Sequence, residues 1–135
     1  MDIKYLLDTN ICIYIFKKHP SAVFERFKQL NFGEVGISAI TYAELNFGAL
    51  KHPQRLKYQE ILALNLEPFE ILYPSKQAYE HYADIRFSLM KAGTPIGVND
   101  LWIAGHARSL DITLVTNNLR EFNRVPNLKL ENWVH

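Results

Sequence analysis

The stretch Lys4-Tyr5-Leu6-Leu7-Asp8-Thr9-Asn10 decides how the rest of the chain is read. Ile3 to Leu7 reads as a short strand, buried on both faces if its sheet is parallel. Asp8 then stands at the carboxyl end of that strand, where open α/β sheets bind their ligands. Thr9 or Asn10 can cap the helix that follows, Ile11 to Phe16. On this stretch alone, Asp8 reads equally as a turn or cap residue and as a functional carboxylate.

Working outward, strands and helices alternate. Pro20 suits the first turn of a helix over Ser21 to Leu30, with Val23, Phe24, Phe27 and Leu30 on one face. A second strand covers Glu34 to Ile37. Ser38 or Thr41 opens a helix to about Leu50, His52-Pro53 breaks it, and Gln54 to Leu64 resumes it. Phe69 to Tyr73 alternates and is rich in β-formers, which predicts a third strand. Ser75 caps a long amphipathic helix to about Ala92. The turn-rich Gly93-Thr94-Pro95-Ile96-Gly97 leads to a helix over Leu101 to Leu110, capped by Asn99 or Asp100. Ile112 to Thr116 is the clearest strand after the first. Asn117 to Phe122 is a loop or single turn, and Leu128 to Leu130 a last edge strand with Trp133 packing nearby. The alternation predicts an α/β fold over residues 1–135, one domain. It is a three-layer sandwich with a central, mainly parallel sheet flanked by helices.

Composition narrows the class. The 135 residues are 48% apolar and 21% charged, as in an ordinary soluble globular protein. A formal net charge of +1 is too small for a bulk electrostatic attraction to nucleic acid, so any such attraction must be local. The one cysteine, Cys12, excludes an internal disulfide and is compatible with a reducing compartment; a cytoplasmic location is expected. No apolar run approaches a membrane span, no signal-peptide pattern opens the chain, and no membrane partner is expected.

The candidate carboxylates are Asp8, Glu44, Asp100 and Glu121; for Asp100 to share the edge of Asp8, the loop before it must reach across. Each has a structural alternative. Glu44 follows Thr41 by three residues, a capping-box spacing. Asp100 before an apolar helix is a good cap or first-turn acid. Glu121 reads as a solvated acid beside Arg120 and Arg124. Convergence at one edge is the expectation that lifts the set. Like charges ~4 Å apart in a surface-like dielectric repel by roughly 4 kcal/mol, which a hard dication removes. Mg²⁺ takes one or two carboxylates and keeps several waters, and such a site suits attack of water on a phosphodiester. Zinc fits poorly: His19, His52, His81, His106 and His135 lack ligand spacing. No Gly-rich phosphate loop is present.

With these residues assembled, the chain resembles the PIN-domain ribonucleases, and within them the VapC-type toxins of bacterial toxin–antitoxin pairs. The resemblance runs through Tyr5-Leu6-Leu7-Asp8-Thr9-Asn10, Thr41-Tyr42-Ala43-Glu44-Leu45, Pro95 to Ala104 with its Asn99-Asp100 pair, and Leu114 to Phe122. It implies a metal-dependent endoribonuclease that a VapB-like antitoxin holds inactive, and a homodimer. Asp8, Glu44 and Asp100 match the three core acids. Asp8 and Asp100 would be the main ligands of Mg²⁺, with Mn²⁺ an alternative, and Glu44 would help position or activate the nucleophile. Many family members carry an aspartate two residues after the threonine of the fourth motif, where this chain has Asn118. Either the site uses fewer acids or Glu121 substitutes. The first is the favoured reading, with Thr9, Thr116 and Asn118 supporting the ligands. The Asn-Asn-Leu-Arg-Glu-Phe version is similar to the branch that cuts initiator tRNA in its anticodon loop, which implies a tRNA substrate.

Cations must accompany the acids if phosphates are to approach. Among Lys17, Lys18, Lys51, Arg86, Lys91, Arg120 and Arg124, the preferred RNA-binding pair is Arg86 and Lys91. The helices around Ile11 to Phe16 and Ala43 to Leu50 carry enough apolar surface for a groove that takes a partner helix or peptide. Two other acid-bearing α/β classes fit less well. A receiver domain needs an acid where Leu7 stands, and an aspartyl phosphatase needs one where Asn10 stands. The remaining alternative is a catalytically weak PIN-fold module that binds RNA or protein, with Asn118 marking a decayed site.

Overall fold

The computed structural model describes residues 2–134; Met1 and His135 lie outside them. Among these residues, five strands and seven helices follow one another. They are β1 (Tyr5–Leu7), α1 (Thr9–Lys17), α2 (Ser21–Lys28), β2 (Val35–Ser38), α3 (Ala39–Leu50), α4 (Arg55–Leu66), β3 (Glu70–Leu72), α5 (Lys76–Ala92), α6 (Val98–Leu110), β4 (Thr113–Val115), α7 (Leu119–Phe122) and β5 (Leu130–Glu131). The strands form one sheet in the order β3-β2-β1-β4-β5, with every pairing parallel.

That order positions the site. The chain moves outward from β1 to β2 to β3, then returns to the other side of β1 for β4 and β5. The direction of winding therefore reverses between β1 and β4. In open α/β sheets the crevice lies at such a reversal, beyond the carboxyl ends of the strands. The β1–β4 register pairs Leu7 with Val115, and the amide of Asp8 donates to the carbonyl of Val115 at 3.0 Å. Asp8 and Thr116, the next residues, thus leave the sheet side by side.

Successive side chains of a strand face opposite sides. Leu7, Ile37 and Val115 pack with Ile11, Ile15 and Leu62 of α1 and α4. Leu6 and Leu114 pack on the other side with Ile85, Leu89, Ile103 and Phe122 of α5, α6 and α7. Helices on both faces of a parallel sheet make the three layers. The α5–α6 crossing is especially close. A Cβ on Gly105 would lie 2.9 Å from the amide nitrogen of Tyr82, so only glycine fits there. Trp102 stacks on Tyr82 beside it, ring centroids 3.8 Å apart. Among the described residues, no helix is long and apolar enough to cross a membrane.

Several caps differ from the sequence reading. Asp8, and neither Thr9 nor Asn10, caps α1: its Oδ1 accepts from the Ile11 amide at 3.0 Å. Ser38 caps α3 by accepting from the Ile40 amide, so Thr41 lies inside the helix. Its buried hydroxyl has no partner among the described residues, and no capping box forms with Glu44. The Ser75 hydroxyl donates to Gln77 and leaves α5 without a side-chain cap. α6 opens at Val98, three residues early, with Gly97 at the cap position and no side-chain bond there. Neither Asn99 nor Asp100 caps, because both side chains are turned to the sheet edge described next.

Candidate active site

Asp8 is only 6% exposed, at the end of β1. Burial pushes its carboxyl pKa up; the Thr116 hydroxyl and the Ile11 amide, both bonded to the carboxylate, pull it down, and the nearby charge of Glu44 pushes it up again. The helix cap fixes the Asp8 carboxylate at the edge.

Glu44, on the second turn of α3, is held at both oxygens. Oε1 accepts from the Thr9 hydroxyl at 2.6 Å, and Oε2 accepts from the Asn99 side-chain amide at 3.1 Å. These bonds join segments 35 and 55 residues apart. Asp100, in the first turn of α6, has its pKa raised from 3.8 to about 6. Burial is the largest cause; next come the charge of Glu121 and a hydrogen bond shared with it, then the charges of Asp8 and Glu44. Asp100 thus feels the other three acids at once.

Glu121 enters from α7. Its Oε2 accepts from the Asn118 side-chain amide at 3.1 Å, and Asn118 in turn donates its backbone N–H to Thr116 Oγ1 at 2.9 Å. Phe122 anchors this single turn, its ring fully buried between α7 and the sheet. The edge therefore carries four acids, where fewer were favoured from the sequence. Asn118 does stand behind the acids, and the acid it orients is Glu121.

The preferred cations, Arg86 and Lys91, both stand on α5. Arg86 donates to the Tyr82 hydroxyl at 2.7 Å and borders the hollow formed with Met90, Pro95 and Val98. Lys91 lies on the outer face of α5, its ammonium 5.3 Å from the Phe87 ring centre. Among the described residues, no ion pair joins either one to the four acids. Lys17 closes α1. It lines a groove of about 420 Å³ with Thr9, Glu44, Ile13, Phe16 and Leu45, between α1, α3 and α4. The groove opens onto Glu44 and is the apolar surface foreseen on α1 and α3.

Asn99 escaped the sequence reading as anything but a cap. Its position beside Asp100 was visible; its partner, 55 residues away, was not. His106, buried on α6, bonds Ser38 Oγ at 2.9 Å and ties α6 to the start of α3.

The groups at the edge that could meet an ion are carboxylate and hydroxyl oxygens, and among the described residues no thiol or imidazole is bonded to the four acids. Such donors suit a hard divalent ion. Among the described residues, no three His, Cys, Asp or Glu side chains form a cluster able to hold an ion by themselves. The fit is to an ion that takes one or two carboxylates directly and fills its shell with water, which is the habit of Mg²⁺.

Comparison with known proteins gives the family. The PIN domain model matches residues 5–128. Ribonuclease VapC2 of Haemophilus influenzae is 46% identical over 133 residues, covering 98% of this chain and 99% of the relative. The tRNA(fMet)-specific endonuclease VapC of Salmonella typhimurium is 41% identical over 131 residues, covering 97% and 98%. Among solved structures, DNA-bound VapBC from Salmonella typhimurium superposes with a TM-score of 0.90 at 40% identity, covering 97% of this chain and 98% of that one. The family model, the relatives and the superposed fold agree, and the chain belongs to the PIN-domain family, among its VapC ribonucleases.

Proposed function

We propose that this chain is a toxin endoribonuclease that hydrolyses RNA phosphodiester bonds at the four-acid edge with the help of Mg²⁺ or Mn²⁺. The observation that carries the proposal is the crowding of Asp8, Glu44, Asp100 and Glu121 at the β1–β4 reversal, which holds Asp100 near 6. Carboxylates gathered without cationic partners disfavour their own ionisation, and a dication relieves that.

In this reading Asp8 and Asp100 would hold the ion, with Glu121 supporting Asp100. When bound, the ion screens charge that develops on the phosphate and favours attack by water. The protein's own groups do the rest. Glu44, fixed at both oxygens, orients the attacking water and accepts its proton as the new P–O bond forms; the P–O bond to the leaving ribose oxygen breaks, and that oxygen takes a proton from solvent. Thr9, Thr116 and Asn118 hold Glu44, Asp8 and Glu121 respectively, so the acids need little reorganisation when substrate arrives. The substrate is proposed to be tRNA, cut in the anticodon loop of the initiator species, in line with the relative named for tRNA(fMet). Arg86 and Lys91 on α5 are proposed to contact RNA away from the acids.

The partner is proposed to be a VapB-like antitoxin, since the similar solved structures are VapBC complexes. The apolar groove beside Glu44 is the surface for its inhibitory segment. A homodimer is proposed as well, supported by exposed Tyr79, Phe87 and Met90 on the outer side of α5.

The test is incubation of antitoxin-free protein with total bacterial RNA in Mg²⁺ and in EDTA, followed by mapping of new RNA ends. One discrete cut in a tRNA that disappears in EDTA is the expected result. Absence of any cut by folded protein, or diffuse degradation indifferent to EDTA, would overturn the proposal.

A further inference from the structure

We infer that Asn99 is a positioning residue of this site: its side-chain amide holds Glu44 in the orientation the reaction uses and ties it to the segment that carries Asp100. The inference rests on the nuclease reading above and goes beyond it, because it assigns a role to a residue outside the acid set and its supporting threonines.

Glu44 projects from a helix on a chain with three rotatable bonds, so its carboxylate is disordered unless something fixes it. Here each oxygen has one donor, Thr9 Oγ1 at 2.6 Å and Asn99 Nδ2 at 3.1 Å. With Thr9 alone, the carboxylate could still turn about that single bond. The second donor, on a different element, stops the rotation. Both donors are neutral. A lysine or arginine in place of Asn99 would also grip Glu44, but it would cancel negative charge at an edge that has to attract a dication.

The local structure gives Asn99 no other work. It is exposed, in the first turn of α6, and neither it nor any other side chain caps that helix. Its described side-chain bond is the one to Glu44. A solvated first-turn position accepts many polar residues, and aspartate is favoured there by the helix dipole. An aspartate at 99, however, would set a fifth carboxylate against Glu44. Asparagine keeps the shape and supplies the donor without the charge. Because residue 99 adjoins Asp100, the bond also fixes Glu44 against the hub of the acid cluster, although the two acids come from helices on different parts of the sheet.

The experiment compares wild type, Asn99→Ala and Asn99→Asp in single-turnover cleavage of tRNA at saturating Mg²⁺, with rates measured across enzyme concentrations. The Asn99 side-chain amide resonance is followed by NMR in wild type and in Glu44→Ala. The expected result is a rate lowered about 10-fold in Asn99→Ala, the size usual for lost outer-shell support, with half-saturation by RNA and unfolding temperature unchanged. Asn99→Asp is slower still, because it replaces the donor by a like charge. The amide resonance shifts in Glu44→Ala. If Asn99→Ala cuts at the wild-type rate, if Asn99→Asp restores that rate, or if the loss appears as weaker RNA binding, the positioning role is wrong while the nuclease reading stands. An amide resonance indifferent to Glu44→Ala removes the contact itself. Wild type that cuts no RNA brings down the nuclease reading and this role together.

Discussion

Replacing Asp100 by asparagine is predicted to stabilise the metal-free protein while removing its activity. The carboxyl pKa rises from 3.8 to about 6 on folding, because the folded site buries it and sets Glu121, Asp8 and Glu44 around it. The folded chain therefore keeps a proton between those values that the unfolded chain has released. Stability from this group is fully present below pH 3.8 and is lost as pH rises through 6. At one pKa unit per 1.36 kcal/mol the loss would reach roughly 3 kcal/mol, and partial solvent screening of a half-buried group reduces it to about 1–2. One effect opposes the gain. An ionised aspartate in the first turn of α6 interacts favourably with the helix dipole, worth about 0.3–1 kcal/mol, which asparagine forgoes. The net expectation is a gain of about 1 kcal/mol for Asp100→Asn at pH 7.5 in EDTA, shrinking towards zero near pH 4. Urea unfolding reads this as a midpoint about 0.5 M higher, given typical slopes of ~1–3 kcal/mol/M. Added Mg²⁺ should raise the wild-type midpoint and leave the variant's unmoved, since only the ionised cluster gains from the ion. A variant no more stable than wild type in EDTA at pH 7.5 would refute the crowding on which the metal argument stands.

Two further outcomes follow from the packing. Phe122→Ala should cost about 3–5 kcal/mol, the usual penalty for emptying a buried aromatic site, and should slow cleavage in whatever fraction stays folded, because Phe122 anchors the turn that presents Glu121; thermal unfolding and a rate per folded molecule check both. His106 is buried, and burial lowers its pKa from 6.5 to about 4. The unfolded chain takes up that proton first, so stability should fall as pH drops from 6.5 towards 4, by up to roughly 3 kcal/mol. This slope opposes that of Asp100 over the same range. His106→Asn should therefore flatten the acid side of the stability profile, and a profile identical to wild type would contradict the burial of a neutral imidazole against Ser38.

The sequence was most legible where one residue type does one thing. The run to Leu7 followed by Asp8, and the strand before Thr116, were readable because buried parallel strands are short, apolar and end in polar residues. The order of the strands was not readable, since nothing local says that β4 pairs with β1 and not with β3. Capping failed where several candidates stand in a row. Asp8, Thr9 and Asn10 can all cap a helix; Asp8 does so, while Thr9 is drawn to Glu44. At α6, Asn99 and Asp100 both leave the cap because partners on other elements hold them. Asp8, Glu44 and Asp100 are named from their motifs, while the place of Glu121 depends on the fold of α7. Its one-turn helix, seated by Phe122, is what turns an acid beside two arginines into a neighbour of Asp100. Arg86 and Lys91 are preferred for their nearness in sequence to the Asp100 loop, and Arg86 borders a hollow with Val98 and Leu101 at the start of α6.

The most direct test of the central claim is single-turnover cleavage of purified initiator tRNA across a Mg²⁺ titration by wild type, Asp8→Asn and Asp100→Asn, each shown to unfold cooperatively. The account predicts a Mg²⁺-dependent cut by wild type and a loss of at least about 100-fold in each variant, as expected when a ligand of a catalytic ion is neutralised. A folded Asp8→Asn or Asp100→Asn protein that cuts within a few-fold of wild type, or a wild-type cut that survives EDTA, would contradict it.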